Sequence, residues 1–212
     1  MKRNQSGFTL IEIAIVLVII GLLLGGVLKG QELINSAKVK NLASDFKNIP
    51  VYIYGFQDKY KALPGDDSAA TTHLATSGVT ITNGNGSGLI DGNWDAATGE
   101  SFQFWQQVRL AGFGPGATDT TAGDYIPRNT VGGRLGVTNA AQAPISGMKG
   151  TYVICSDAIA GKFAKQLDTS LDDSNTATGS VMVAVAASGT AAAPTATTAI
   201  VDDTPYLVCM GY

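Results

Sequence analysis

Apolar residues fall in two regimes along the first third of the chain. From Phe8 to Leu28 (FTLIEIAIVLVIIGLLLGGVL) they are almost unbroken over 21 residues, with Glu12 as the one charge. A run of that length matches the roughly 20 residues that a helix needs to cross a bilayer. They then thin to Val39, Leu42, Phe46, Ile49, Ile53, Phe56, Tyr60 and Leu63, at spacings that alternate between three and four. This spacing predicts an amphipathic helix that continues the first. Together the two span about 55 residues, roughly 80 Å at 1.5 Å per residue, so the rod must pack against something along its length. Pro50 removes a backbone donor and should kink it, Gly21, Gly25 and Gly26 weaken its apolar half, and Leu63-Pro64-Gly65 ends it.

Beyond the rod the pattern breaks up. Residues 66–99 are rich in Gly, Asn, Asp, Ser and Thr, whose side chains compete for backbone hydrogen bonds and favour a long structured loop. Glu100 to Ala111 carries Phe104, Val108 and Ala111 on one stripe with Gly112 behind it, a short helix. Thr151–Cys155, Val181–Ala186 and Tyr206–Met210 read as strands, with a further one near Arg134–Thr138, and Ser156 reads as the cap of a helix over Asp157–Leu167. The expected class is α+β: a long N-terminal helix, apolar in its first half and amphipathic in its second, packed on a small antiparallel sheet with short helices. The head occupies 64–212.

Composition narrows the function. Of 212 residues, 45% are hydrophobic and 15% charged, enough to bury a core, and 26 glycines suit many turns. The 14 basic side chains against 17 acidic ones, with no basic cluster, argue against nucleic-acid binding; Arg109, Lys149, Lys162 and Lys165 are scattered. With two cysteines and one histidine, a Cys/His zinc site is excluded and Ser-His-Asp catalysis has only His73 to run through. His73 reads as a loop histidine, and an enzymatic role is not expected. Lys29, Lys38 and Lys40 follow the apolar run while Lys2 and Arg3 precede it, so charge does not decide its orientation. Cys155 and Cys209 suit a disulfide formed outside the cytoplasm, which puts the head outside; two buried thiols are the alternative.

No small-residue cleavage site follows Leu28, so the apolar run is expected to stay in the mature chain. Instead, Gly7-Phe8-Thr9-Leu10-Ile11-Glu12, behind a short basic leader and ahead of an apolar helix, resembles the class III signal of type IV pilins and type II secretion pseudopilins. The resemblance covers roughly residues 1–63. It implies a leader over 1–7, cut on the cytoplasmic side between Gly7 and Phe8 by a prepilin peptidase that also N-methylates Phe8, and a helix over 8–63 of which 8–28 crosses the membrane and later forms the filament core. It further implies assembly through Glu12, an inner-membrane assembly platform, a homopolymer with or without minor pilins, and a disulfide-bounded C-terminal region between Cys155 and Cys209. Many members carry a proline where this chain has Lys29. The expected function is a structural subunit of a type IV pilus, with a type II secretion pseudopilin as the alternative. The precursor is then a single-pass inner-membrane protein, and the assembled form an extracellular pilus or a periplasmic pseudopilus. A membrane-anchored binding module is the reading outside the filament class.

Three further features have ordinary readings. Asn83, Asn85, Ser87, Gly88 and Asp91 occupy positions 1, 3, 5, 6 and 9 of a calcium-loop spacing, but position 12 is Trp94, so an Asx-turn loop is expected and calcium is the alternative cofactor. Asp66, Asp67, Asp95 and Glu100 are the carboxylates that could join such a loop. Asp172 and Asp173, beside Ser174 and Asn175, read as a solvated turn, and Tyr52, Tyr54, Phe56 and Tyr60 read as packing between helix and head.

Overall fold

The computed structural model describes residues 9–76, 78–185 and 191–212. Helix α1 runs Leu10–Tyr60, passing without interruption through Gly21, Gly25, Gly26 and Pro50. It stops short of Leu63 because Lys61 takes a left-handed backbone, φ 58°, which breaks the helical repeat. Contacts within the chain divide it after Ala37, so the amphipathic half of α1 belongs to the compact unit 38–212. In the first unit the apolar side chains of Leu10–Leu28 are exposed, from 46% at Ile20 to 92% at Leu10.

In the second unit α1 contributes Val39, Leu42, Phe46, Ile49, Pro50, Ile53 and Phe56 to the buried face, the stripe that the spacing predicts. Tyr54 departs from the expectation: it lies off that stripe and is exposed. Helices α2 (Ala70–His73) and α3 (Glu100–Leu110) follow, then strand β1 (Leu135–Asn139), β2 (Tyr152–Ala160), helix α4 (Gly161–Leu171), β3 (Val181–Ala184) and β4 (Pro205–Gly211). The four strands form one antiparallel sheet in the order β1-β2-β4-β3.

Both sheet faces are buried, and the alternation along each strand sorts the residues between them. Val137, Ile154, Val181, Val183 and Val208 join α1, Phe104 and Val108 of α3, and Phe163 and Leu167 of α4. Val153, Cys155, Met182, Leu207 and Cys209 face the other way, under Ala143, Ile145 and Met148. Edge strand β1 is covered by the long loop: Asn139 N–H donates to the Ile90 carbonyl and Thr138 Oγ1 to that of Gly92. Gly136 is required there, because a Cβ would collide with the Trp94 carbonyl.

One local expectation is overturned. The helix read as starting at Asp157 under a Ser156 cap starts at Gly161 instead, and Ser156 is a buried strand residue whose Oγ accepts from Asn129 Nδ2 at 2.8 Å. The strand continues because a bulge between Ser156 and Ile159, with Ala158 at φ 56°, lets Ile159 pair with Tyr206, while the Asp157 carboxylate takes the Arg134 N–H.

Candidate functional site

The start of α1 is closed by a reciprocal cap. Thr9 Oγ1 accepts from Glu12 N–H at 3.3 Å, while Glu12 Oε2 accepts from the Thr9 N–H at 2.8 Å and from its hydroxyl at 2.7 Å. This is a capping box, which satisfies two of the amide donors that every helix start leaves open. The T-x-x-E spacing was legible in Thr9-Leu10-Ile11-Glu12, and sequence reasoning passed over it. Glu12 is thus tied to the helix end by its own turn, with both groups exposed. Gly7 and Phe8, the expected cleavage and methylation residues, lie outside the described residues.

Behind the cap the helix shows apolar surface all round. The most apolar stretch of α1 has no buried share, and the helix is long and apolar enough to cross a membrane. Gly21, Gly25, Gly26 and Gly30 have open space where a Cβ would stand, so nothing in the chain itself demands glycine there. The Lys29 amine, exposed at the end of the apolar run, meets Glu32 at 2.7 Å.

Cys155 and Cys209 form a disulfide, which removes the alternative of two thiols. They are directly opposed partners in the β2–β4 register, with Cα atoms 4.1 Å apart. The bond therefore staples the two central strands across 54 positions of sequence.

The glycine- and asparagine-rich loop wraps around acidic groups. The buried Asp66 carboxylate accepts from Ser87 N–H at 2.9 Å and Gly88 N–H at 2.7 Å, and Gly86 N–H donates to the Asp66 carbonyl. Gly84 approaches so closely that a Cβ would strike the Asp66 backbone. Glu100 accepts from the N–H groups of Asn85 (2.8 Å) and Asp91 (2.9 Å). Burial, with Asp66 and Asp91 nearby, nevertheless holds the Glu100 carboxyl above its usual range. Of the calcium-spaced residues the structure joins Asn85 to Asp91 (Nδ2 to Oδ2, 3.1 Å), while Asn83 turns away to accept from Thr71 N–H. Asn85 Oδ1 accepts from Ser87 N–H, and Asp91 Oδ1 accepts from Asn139 Nδ2. These oxygens thus accept from protein donors, that of Asn85 in an Asx turn and those of Asn83 and Asp91 from groups distant in sequence. Asp67 is engaged with His73 Nδ1 at 2.7 Å, the ring stacking on Tyr60, so His73 is a structural partner.

A family model described as a prokaryotic N-terminal methylation motif matches residues 2–28. Comparisons with curated proteins and with solved structures return no match. The matched segment holds Gly7, Phe8, the capped Glu12 and the exposed apolar helix, and it leads into a long helix, a four-stranded antiparallel sheet and short helices. The chain thus opens with the class III signal of type IV pilins and pseudopilins, which marks it as a prepilin peptidase substrate, and carries behind that signal a pilin-like α+β fold.

Proposed function

We propose that the protein is a structural subunit of a type IV pilus, cut between Gly7 and Phe8, N-methylated at Phe8, and polymerised through the apolar half of α1. The observation that carries this reading is the exposed apolar helix surface of Leu10–Leu28 behind a methylation motif. Such a surface is stable in lipid or among copies of itself; burying several hundred Å² per neighbour is worth several kcal/mol at about 25 cal/mol per Å² from water, and less from lipid. The membrane holds the precursor, and sister helices replace the membrane in the filament.

Glu12 supports the same reading. A carboxylate within a lipid-facing helix costs roughly 2.5–3.5 kcal/mol, and no cation lies in the run. Cleavage creates an α-amine at Phe8, and the amine of a neighbour staggered by about one turn neutralises Glu12 and sets the register. The disulfide favours a pilin over a major pseudopilin, whose family usually lacks it.

The test combines mass spectrometry of the native N-terminus with electron microscopy of sheared cells. Expected are a chain starting at methylated Phe8 and long surface filaments that contain it. Methylated Phe8 with short periplasmic filaments instead identifies a pseudopilin. A native chain starting at Met1, or one that stays single in the membrane, identifies an anchored module and ends the filament reading.

A further inference from the structure

The last turn of α4 holds a carboxylate that the fold leaves unanswered. Asp168 is fully buried, and neither of its carboxylate oxygens has a hydrogen-bond partner among the described residues. A buried polar group without a partner is costly, and a buried carboxylate more so. Around it stand Asp172 and Asp173, each offering an oxygen, such that the three oxygens lie within 4.8 Å of one another.

The electrostatics sharpen the problem. The last turn of α4 contains no basic residue, and a helix C-terminus carries partial negative charge of its own. The two lysines of α4 are engaged elsewhere, Lys162 with Asp203 and Lys165 with Asp202. Burial first, then repulsion from Asp173 and Asp172, pushes the Asp168 carboxyl up to about 6. The neighbouring carboxylates are held in place: Asp172 Oδ2 accepts from the N–H groups of Ser180 (2.6 Å) and Val181 (2.8 Å). Asp173 Oδ1 accepts from Asn175 N–H, and its Oδ2 from the Thr178 hydroxyl. Gly179 makes room for this, since a Cβ there would strike Asp172 Oδ2. The turn that the sequence reads as solvated is exposed at Asp173, Ser174 and Asn175, and its hydrogen bonds hold Asp172 and Asp173 beside the buried Asp168 carboxyl.

We propose that Asp168, Asp172 and Asp173 form a binding site for a hard divalent cation, Ca2+, at the junction of α4 and the segment leading into β3. Oxygen ligands on Ca2+ lie about 2.3–2.6 Å from the ion, so three oxygens no more than 4.8 Å apart fit on one coordination sphere. All-oxygen, all-carboxylate ligation selects Ca2+ or Mg2+ over softer metals. Asp173 is exposed, which leaves a side through which water completes the shell. The ion would answer the orphaned oxygens of Asp168 and clamp the end of α4 to the start of β3, whose first N–H already rests on Asp172.

The test uses the full-length mature protein in detergent micelles, stripped with chelator and titrated with CaCl2 or MgCl2, followed by calorimetry and thermal unfolding. The expected result is one Ca2+ per chain with Kd on the order of 10−4–10−3 M, a higher Tm with Ca2+, and weaker binding of Mg2+. D173N, at an exposed position, should weaken Ca2+ at least about tenfold on the usual scale of losing a charged ligand. D168N should abolish the Ca2+ response yet raise the Tm of the metal-free protein at neutral pH, which shows that the variant folds. D91N, in the glycine-rich loop, should respond as wild type. The proposal is overturned if wild type shows no Ca2+-dependent heat or Tm change at millimolar Ca2+, if Mg2+ binds as tightly, or if D168N and D173N bind Ca2+ like wild type, whatever D91N does.

Discussion

Glu12 Oε2 accepts both the backbone N–H of Thr9, at 2.8 Å, and its hydroxyl, at 2.7 Å, so the one charge of the apolar run is anchored to the first turn of its own helix. Glu12 therefore has two separable duties, capping and charge. Glutamine keeps an acceptor for the Thr9 N–H and removes the charge. We expect E12Q to be inserted and processed like wild type but to give few or no filaments, read by membrane fractionation, N-terminal mass spectrometry and microscopy. T9V, which loses the hydroxyl of the cap but keeps the carboxylate, should cost about 1 kcal/mol of helix-start stability and still assemble. Normal filaments from E12Q would remove the charge from the assembly mechanism.

The Cys155–Cys209 bond joins directly opposed residues of the two central strands. Closing a loop of this length is worth about 4 kcal/mol in the chain-entropy account. Replacing both cysteines with alanine should therefore lower stability by about 2–4 kcal/mol, measured by denaturant unfolding in micelles, and wild type under reducing conditions should lose a similar amount. Equal midpoints with and without the bond would contradict this.

Arg109 is buried, and its hydrogen bonds among the described residues go to backbone carbonyls rather than to a carboxylate. Its Nε donates to the Pro115 carbonyl at 2.9 Å and its Nη1 to those of Ala117 (2.8 Å) and Tyr125 (2.7 Å), while its plane lies near the rings of Trp105 and Tyr125. Burial accordingly lowers its pKa from the usual arginine value. Lysine cannot reproduce this fork of donors. R109K should destabilise by about 2 kcal/mol and R109A by roughly 3 kcal/mol or more, since three carbonyls lose their donor. Proteolysis should then cut the 111–127 segment faster, and an unchanged cleavage rate would show that the segment is held by other contacts.

Asp45 projects from the amphipathic half of α1 into a cavity of about 200 Å³ that Tyr52, Trp105, Arg109 and Arg128 also line. Burial raises its carboxyl from 3.8 to about 6. A group whose folded pKa is raised binds protons more readily when folded, so between about pH 4 and 6 stability falls as pH rises, and the cost of the buried charge is fully present above pH 6. D45N should therefore stabilise the protein at pH 7 by about 1 kcal/mol, after allowance for solvent screening, and have almost no effect near pH 4. Thermal melts of both proteins across that range check the sign; equal gain at both ends would point to packing instead.

The local periodicities made the rod, its apolar and amphipathic halves, α3 and the four strands legible, because each is a repeat that a short window carries. The methylation motif was legible for the same reason: peptidase and membrane read a contiguous stretch. The buried stripe from Val39 to Phe56 needed only a helical period to be named.

Tertiary structure alone decided what depends on groups distant in sequence. Ser156 looked like a helix cap and became a strand residue because Asn129, 27 positions away, claimed its hydroxyl. The glycine-rich loop had a calcium-like spacing, yet its carboxylates and amides are organised by Asp66 and Glu100 from outside the spacing. Asp172 and Asp173 follow Asp168 by only four and five positions, a local spacing at the end of α4, but that Asp168 is fully buried and has no hydrogen-bond partner among the described residues was decided by the packing of α4 on the sheet. Periodicity is local and survives any fold, whereas burial and charge proximity belong to pairs of residues that only the folded chain brings together.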